Sequence, residues 1–517
     1  MAFAWFRPSA KLSLNEKSIL TEKSTCFTSM NYSLTKLTSL KSVEDFRRHV
    51  LSLEIDLEID AEMVELAENP LMKPIKWGER TIGNRIAIQP MEGWDGTSEG
   101  TPTEATIRRW RRFGESGAKL IWGGEAMAVR PDGRANPHQL MLLKENASSI
   151  EQIASELRKR HLELYAESND LVIGFQLTHS GRFCRPHEKQ RWEPRVAYRH
   201  PLLDERFGVV SDDQLWSDTE LDDLVGDYVA SAKIAERCGA DFVDIKCCHG
   251  YLLHEFLGAR TRQGRYGGSF ENRSRLLINI VRAIQQAAPG MGIGVRLSAF
   301  DSVPFVPDPD TETQGKKGQG TPIDYSHLIP YLWGFGINAS NPLQYDLTDV
   351  FSLIRLLESY GVGLINVSAG SPYYTPHILR PAAYPPSDGY QPHEDPLRSV
   401  AKQTQVAATL KTLFPSMLMV GSGYSYLQEF LPLVAQHQVR NGLIDFVGLG
   451  RMVLSYPTQM IDSVRGRVSQ RKLVCRTFSD CTTAPRNGLA SGCYPLDEYY
   501  KKSPEAFQLK GIKDASE

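Results

Sequence analysis

The chain is poor in cysteine, with eight in 517 residues. That density is too low for a disulfide scaffold. It is also poor in net charge: 59 Lys+Arg against 61 Asp+Glu leaves −2. A near-neutral chain offers no electrostatic case for nucleic acid or an anionic membrane as partner. No apolar run reaches the roughly 18 residues that a spanning helix requires. The first forty residues lack the apolar core of a secretory signal. The expected location is therefore cytoplasmic, with residues 1–30 either a disordered extension or an organelle-targeting segment. What is present is enough apolar surface, 41% of residues, to bury a sizeable core.

From Asn84 onward, short apolar runs alternate with amphipathic stretches. The runs are Ile86–Gln89, Leu120–Trp122, Leu171–Gln176, Phe242–Ile245, Ile293–Leu297, Leu364–Val367, Met417–Val420 and Ile444–Val447. Each has the length of a strand buried on both faces. A helical pattern follows each one: Thr103–Gly114, Ser148–Glu163, Ser217–Cys238, Asn272–Ala287, Leu347–Tyr360, Pro396–Leu413, Tyr426–Gln438 and Met452–Val464. The clearest opens on Ser217 and Glu220, a capping-box spacing, and closes near Gly239. Eight strand–helix pairs in order predict an α/β fold, a (β/α)8 TIM barrel, over a doubly wound sheet. The surplus length falls in Gly181–Leu215, Ala299–Tyr345 and Ala369–Asp395, each after a strand and before a helix. In a barrel these long βα loops share the C-terminal face, where catalysis occurs. Residues 43–68 read as helix, closing an N-terminal extension over 1–68. The barrel is expected over 69–470 and a Cys-containing tail over 471–517, frayed from about Lys501.

The densest chemistry lies between Asp241 and Arg275. It contains His249-Gly250-Tyr251-Leu252 and Tyr266-Gly267-Gly268-Ser269-Phe270-Glu271-Asn272-Arg273. This pair of motifs resembles the Old Yellow Enzyme family of flavin oxidoreductases, the NADH:flavin oxidoreductase / NADH oxidase family. Further blocks resemble it in order. They are Asn84-Arg85-Ile86 through Pro90-Met91, Glu125-Ala126, Gln176 through Arg182, Val295-Arg296-Leu297-Ser298 and Gly448-Leu449-Gly450-Arg451. The resemblance spans about Asn69 to Val464 and is to the barrel part of dienoyl-CoA reductase-like members. It implies a TIM barrel holding FMN non-covalently, with NAD(P)H as diffusible reductant, since no G-x-G-x-x-G follows the barrel.

Chemistry supports each position that the resemblance implies. Gly421-Ser422-Gly423 and Gly450-Arg451, after consecutive strands, would supply backbone N–H groups and a cation to the phosphate of FMN. Gln176 can donate and accept at once, which suits the pyrimidine edge of the ring. Arg296 would stabilise negative charge near flavin N1. Pro90, Met91 and Ala126 resemble positions whose backbone lies along the ring. Tyr251 matches the family's proton donor to the α-carbon of an activated alkene.

Two positions depart from the pattern. Where the family carries a His/His or His/Asn pair on the substrate carbonyl, this chain has Lys246 and His249. A lysine still donates, with full charge, or it snorkels to solvent. Glu92 follows Pro90-Met91 where relatives carry Thr or Cys. It would pair with Lys246 or act as an additional acid or base.

Cys247 and Cys248 read as small buried residues. Cys475, Cys481 and Cys493 keep the C-x11-C half of the 4Fe-4S loop of two-domain relatives, but three thiolates fall short of four. They read as a relic of that loop, and no metal is expected. The leading reading is an FMN-dependent ene-reductase acting on a small-molecule substrate, without nucleic acid or membrane partners. The alternatives are a flavin amine dehydrogenase or demethylase on the same barrel, and a non-catalytic binding barrel.

Overall fold

The computed structural model describes residues 34–313 and 315–516. The segment read as an extension or targeting sequence, residues 1–30, lies outside them. Eight parallel strands close into a barrel. They are β1 (Ile86–Ile88), β2 (Leu120–Ala128), β3 (Val172–Thr178), β4 (Phe242–Cys247), β5 (Gly292–Ser298), β6 (Leu364–Ser368), β7 (Leu418–Gly421) and β8 (Phe446–Leu449). The helices that alternate with them are α1 (Glu104–Glu115), α2 (Ala147–Tyr165), α3 (Asp218–Arg237), α4 (Phe270–Ala287), α5 (Thr348–Ser359), α6 (Pro396–Leu413), α7 (Leu431–Arg440), α8 (Arg451–Ser455) and α9 (Gln459–Val464), with two short helices, Leu252–Leu257 and Pro376–Leu379, in the mouth loops. The TIM-barrel reading holds. β2 runs on to Ala128 because its register against β3 shifts between Gly123 and Ala126, where two glycines adopt positive φ.

Capping sets the helix starts. Ser217 Oγ accepts from Glu220 N–H and the Glu220 carboxylate accepts from Ser217 N–H at 2.8 Å, satisfying two orphan donors at the start of α3. Strand alternation then sorts side chains by height. Along β4, Phe242, Asp244 and Lys246 share the inner face, and successive steps carry them from the barrel floor to its mouth. The lower interior is apolar, built from Ala87, Leu120, Trp122, Phe242, Leu364 and Phe446 among others. Gly174 makes room there, since a Cβ would stand 2.2 Å from the Phe242 ring. A hairpin, Ile75–Trp77 and Arg80–Ile82, plugs the bottom with Trp77, whose ring meets Phe242 edge-on at 5.8 Å. A second apolar layer lies between strands and helices.

Four expectations need correction. The N-terminal helix covers only Val43–Ser52. Beyond it Glu54 takes φ 52° and the chain runs irregularly, burying alternate residues Leu57 and Ile59. Asp60, buried beside them, accepts from Gln436 at 2.6 Å, so this stretch is a strap across α7 rather than a helix. The run 426–438 is a 3-10 segment, Tyr424–Phe430, kinked at Gln428, followed by α7. The run 452–464 splits into α8 and α9, because Pro457 cannot continue a helix interior. The tail does not fray at Lys501: helices Glu498–Lys501 and Pro504–Ser516 follow, with Leu509 buried against Tyr494 and Tyr500 and Lys513 paired to Asp480 at 2.9 Å.

The loops after β3, β5 and β6 lie at the C-terminal mouth, and the tail docks over the same mouth. Arg109 on α1 anchors it, bonding Asp95 through two nitrogens at 2.7 Å and Glu125 at 3.0 Å, while Ser491 N–H donates to Asp95. Among the described residues no helix is long and apolar enough to cross a membrane.

Candidate active site

A cavity of about 230 Å3 opens at the barrel mouth. Its walls bring together Pro90, Met91, Glu92, Gln176, Lys246, His249, Tyr251, Arg296, Ser422, Gly423, Gly450 and Arg451. Ala126 and Gly421 stand behind the lining. The Ala126 carbonyl accepts from Gln139 at 3.1 Å. The Gly421 carbonyl accepts from Gln89 Nε2 at 3.1 Å. Gln89, which the sequence reading passed over, ties three strands together, since it also bonds Ser422 Oγ and accepts from Asn366 at 2.7 Å.

The floor is polar because the last inward positions of β3, β4 and β5 are polar. Gln176 pairs with Asp244 in register, and Lys246 with Arg296. Gln176 Nε2 donates to Asp244 at 2.5 Å, and so does the Arg296 backbone N–H at 2.6 Å. Burial lifts the Asp244 carboxyl to about 6, against those hydrogen bonds. Burial pushes the Arg296 guanidinium down. Its Nε has no partner, and Nη1 reaches only the Pro90 carbonyl at 3.4 Å.

One wall carries a tight cluster around Glu92. Its carboxylate pairs with Lys246 and accepts from Trp94 Nε1 at 2.9 Å and from the Tyr251 hydroxyl at 2.8 Å. The lysine side chain is 3% exposed, so it does not snorkel to solvent. Of the two roles open for Glu92, the structure places the pairing. The ammonium also stands 3.6 Å from the centre of the Tyr251 ring, a cation–π contact. The Tyr373 hydroxyl lies 3.2 Å from that of Tyr251. Burial, with Glu92 beside it, holds the Tyr251 phenol well above its usual range. His249 takes φ 66°, anchored by its N–H on Ser298 Oγ at 3.0 Å and by Nε2 against Ser368 Oγ at 2.9 Å. Burial first, then the Arg296 and Lys246 charges, keeps its imidazole neutral, well below its usual range.

The opposite wall is cationic. Arg380 and Arg451 are half-buried, and each has a buried guanidinium nitrogen without a partner. Arg451 Nη2 donates to the Pro381 carbonyl at 2.7 Å. Burial, then the charges of Arg451 and Arg486, lowers Arg380 to about 9. Gly423 turns the chain at φ 92°. A Cβ at Gly450 would meet only Met91 Sδ at 3.9 Å, so this backbone borders open space.

The family model described as the NADH:flavin oxidoreductase / NADH oxidase family matches residues 70–311. That stretch, which carries the first five barrel strands, is similar to the NADH:flavin oxidoreductase / NADH oxidase family. An NADH:flavin oxidoreductase of Gibberella zeae is 32% identical over 48% of this chain and 54% of its own length. An NADPH dehydrogenase of Bacillus subtilis is 25% identical over 75% of this chain and 92% of its own. In fold, the chain is similar to a 2-naphthoyl-CoA reductase (TM-score 0.60, 16% identity, 85% of this chain, 58% of the other). It is likewise similar to a histamine dehydrogenase from Rhizobium sp. 4-9 (TM-score 0.59, 16% identity, 84% and 53%). The chain spans about half the length of the first fungal relatives it matches.

The cofactor of this family is FMN, with NAD(P)H as reductant. The cavity fits it on its own chemistry. Two half-buried arginines with buried, unpartnered nitrogens and the Gly423 and Gly450 backbone suit a phosphate dianion. Gln176 and Arg296 suit the polar edge of a flavin, with Pro90 and Met91 alongside. The tail contributes Cys481, Thr482, Pro485 and Arg486 to the lining. Cys475, Cys481 and Cys493 are free thiols, and burial raises the Cys475 thiol. Cys247 and Cys248 are fully buried, as expected. Arg380, Tyr373, Trp94 and Arg486 escaped sequence reasoning. They sit in loops and the tail, where no periodicity marks the face a side chain takes.

Proposed function

We propose that the protein is a flavin-dependent reductase that uses NAD(P)H to reduce the activated C=C bond of α,β-unsaturated carbonyl compounds. One observation carries this reading: Tyr251, His249 and Lys246 converge on the same cavity as Arg296 and Gln176. Bound FMN supplies hydride transfer to such a site. The residues supply the rest. The Ser368 hydroxyl can donate to His249 Nε2, which leaves the proton on Nδ1, a nitrogen without a hydrogen-bond partner among the described residues. His249 and Lys246 then donate to the substrate oxygen as negative charge develops there. Tyr251 gives its proton to the α-carbon. A phenol held far above its usual range is a weak acid to water, yet adequate toward an enolate carbon. Lys246 over the ring favours the phenolate that results, and Tyr373 and Glu92 keep the hydroxyl oriented between turnovers.

The same cluster weighs against a cationic amine substrate. The aromatic face of Tyr251 and the Glu92 carboxylate, which an ammonium group would use, already hold the chain's own Lys246. The buried, unused donors of Arg380 and Arg451 weigh against a barrel that binds no cofactor, because buried donors without partners are costly.

The test is anaerobic titration of the holoprotein. The visible flavin band is expected to bleach with NADH or NADPH and to return with a cyclic enone. Tyr251→Phe is expected to slow the return by about 10²–10⁴-fold, far more than the bleaching. Unaltered return in that variant would remove Tyr251 as donor. Bleaching with no return on any enone would remove this acceptor class.

A further inference from the structure

A second cavity, of about 320 Å3, lies beyond Pro372 and Tyr373, and both residues line the first cavity too, as does Arg486. It therefore adjoins the chamber at Tyr373, the residue whose hydroxyl meets Tyr251. Its walls divide by chemistry. Trp192, Phe207 and Tyr373 make an aromatic flank. In that flank the Phe183 ring stacks on Tyr373 at 3.9 Å and Phe207 meets Trp192 edge-on at 5.0 Å.

Three arginines, Arg185, Arg206 and Arg486, supply the cavity's positive charge, beside the neutral Ser387, Tyr390 and Asn487 and against one carboxylate, Asp388. Asp388 is already paired with Arg486, whose Nη2 also holds the Pro372 carbonyl at 3.1 Å. Arg185 is fixed by the carbonyls of Ala135 and Lys189 at 3.1 and 3.2 Å and stacks 4.3 Å from the Trp192 ring. Those contacts position its charge without neutralising it. Arg206 lies over the Phe207 ring at 5.2 Å. Among the described residues it makes no hydrogen bond or ion pair. Two positive charges are thus left over, on planar donors that suit an oxyanion.

We propose that this second lobe is an oxyanion subsite. It holds a carboxylate or phosphate at the far end of a reactant whose near end lies against Tyr251 and whose apolar middle passes Tyr373. This rests on the reductase reading. Two reactants carry such a group: an unsaturated carbonyl compound with a remote carboxylate, and the phosphorylated nicotinamide nucleotide.

Stopped-flow kinetics of the two half-reactions separate them. The acceptor pair is an enone bearing a terminal carboxylate and its methyl ester. The donor pair is NADPH and NADH. Arg206→Ala is expected to raise the half-saturating concentration of one anionic member by about 10-fold, the loss of one charge-assisted contact, with the limiting rate kept. Arg206→Lys is expected to recover most of that. The ester and NADH are expected to respond as in the parent protein. A loss confined to the carboxylate enone assigns the subsite to the acceptor, and one confined to NADPH assigns it to the donor. Equal responses of charged and neutral members overturn the proposal.

Should no enone be reduced, the donor pair still reads the subsite. So does tryptophan quenching by the saturated carboxylate against its ester, with Trp192 on the wall. Failure of the reductase reading is thereby distinct from failure of the subsite. Arg206 is solvent-exposed, and unchanged thermal unfolding would confirm that its variants fold.

Discussion

Arginines with buried nitrogens fall into two groups, and the difference teaches what a buried charge is for. Arg182, in the loop after β3, is closed. Its nitrogens bond Glu255 at 2.8 Å, Asp204 at 2.5 Å and the Tyr198 carbonyl at 2.8 Å. Glu255 in turn accepts from Ala197 N–H at 2.9 Å. Nothing is left over, and the network holds two mouth loops together. Arg296, Arg380 and Arg451 are open. Arg296 is buried and the other two are half-buried, yet each keeps a buried nitrogen without a partner, and all three border one cavity. Burial of charge is tolerated only with compensation. In the closed set the protein supplies it. In the open set a ligand must.

The comparison breaks if the two sets respond alike to substitution. The largest effect is expected from Arg182→Met, which strands Asp204 and Glu255. Denaturant unfolding of the FMN-free protein should register a loss of about 3–5 kcal/mol. A loss under about 1 kcal/mol would mean that the network is not the anchor described.

Next comes Asp301, a buried acid with no cation. Its carboxylate accepts from Tyr374 at 2.9 Å, Thr375 at 2.8 Å and Ser302 N–H at 2.9 Å, and burial lifts it from 3.8 to about 6. A folded value above the unfolded one favours the fold while the group is protonated, below about 4. That contribution is lost as pH rises through about 6. Asn does not titrate. The stability of Asp301→Asn relative to the parent should therefore rise between pH 4 and 7, by on the order of 3 kcal/mol. A difference that stays flat with pH would show that Asp301 is not held protonated.

The smallest effect is expected at the open set. Arg451→Met should weaken FMN binding by about 2 kcal/mol, roughly 30-fold. The FMN-free protein should lose no stability, since no carboxylate is stranded. Destabilised apoprotein with unchanged FMN affinity would place Arg451 with the closed set.

Much of the barrel was legible because its signals are local. Strand runs and helix periodicity repeat eight times, and the cap at Ser217 and Glu220 formed as spaced. Residues 53–67 misled because their acidic composition suits a helix exterior, while their apolar residues alternate, which suits an extended strap. The tail misled because Leu509 looks isolated until Tyr494 and Tyr500 meet it. In the site, Tyr251, His249 and Arg296 could be named from motifs. The pairing of Glu92 with Lys246 could be named only as one of two alternatives, because the lysine lies 154 positions away and an acid or base role fitted the carboxylate as well.

The sequence by itself determined the eight-fold order, the polar residues Gln176, Lys246 and Arg296 near the ends of β3, β4 and β5, and the glycines of the turns after β7 and β8. These follow from alternation and turn chemistry within a few residues. Only the tertiary structure decided which charges are spent and which are free. It closed Glu92 on Lys246, brought Arg380 from a loop and Arg486 from the tail into one mouth, and set a second lobe behind Tyr373. Those outcomes depend on which side chains reach each other across a closed barrel, and chain spacing carries no record of that distance.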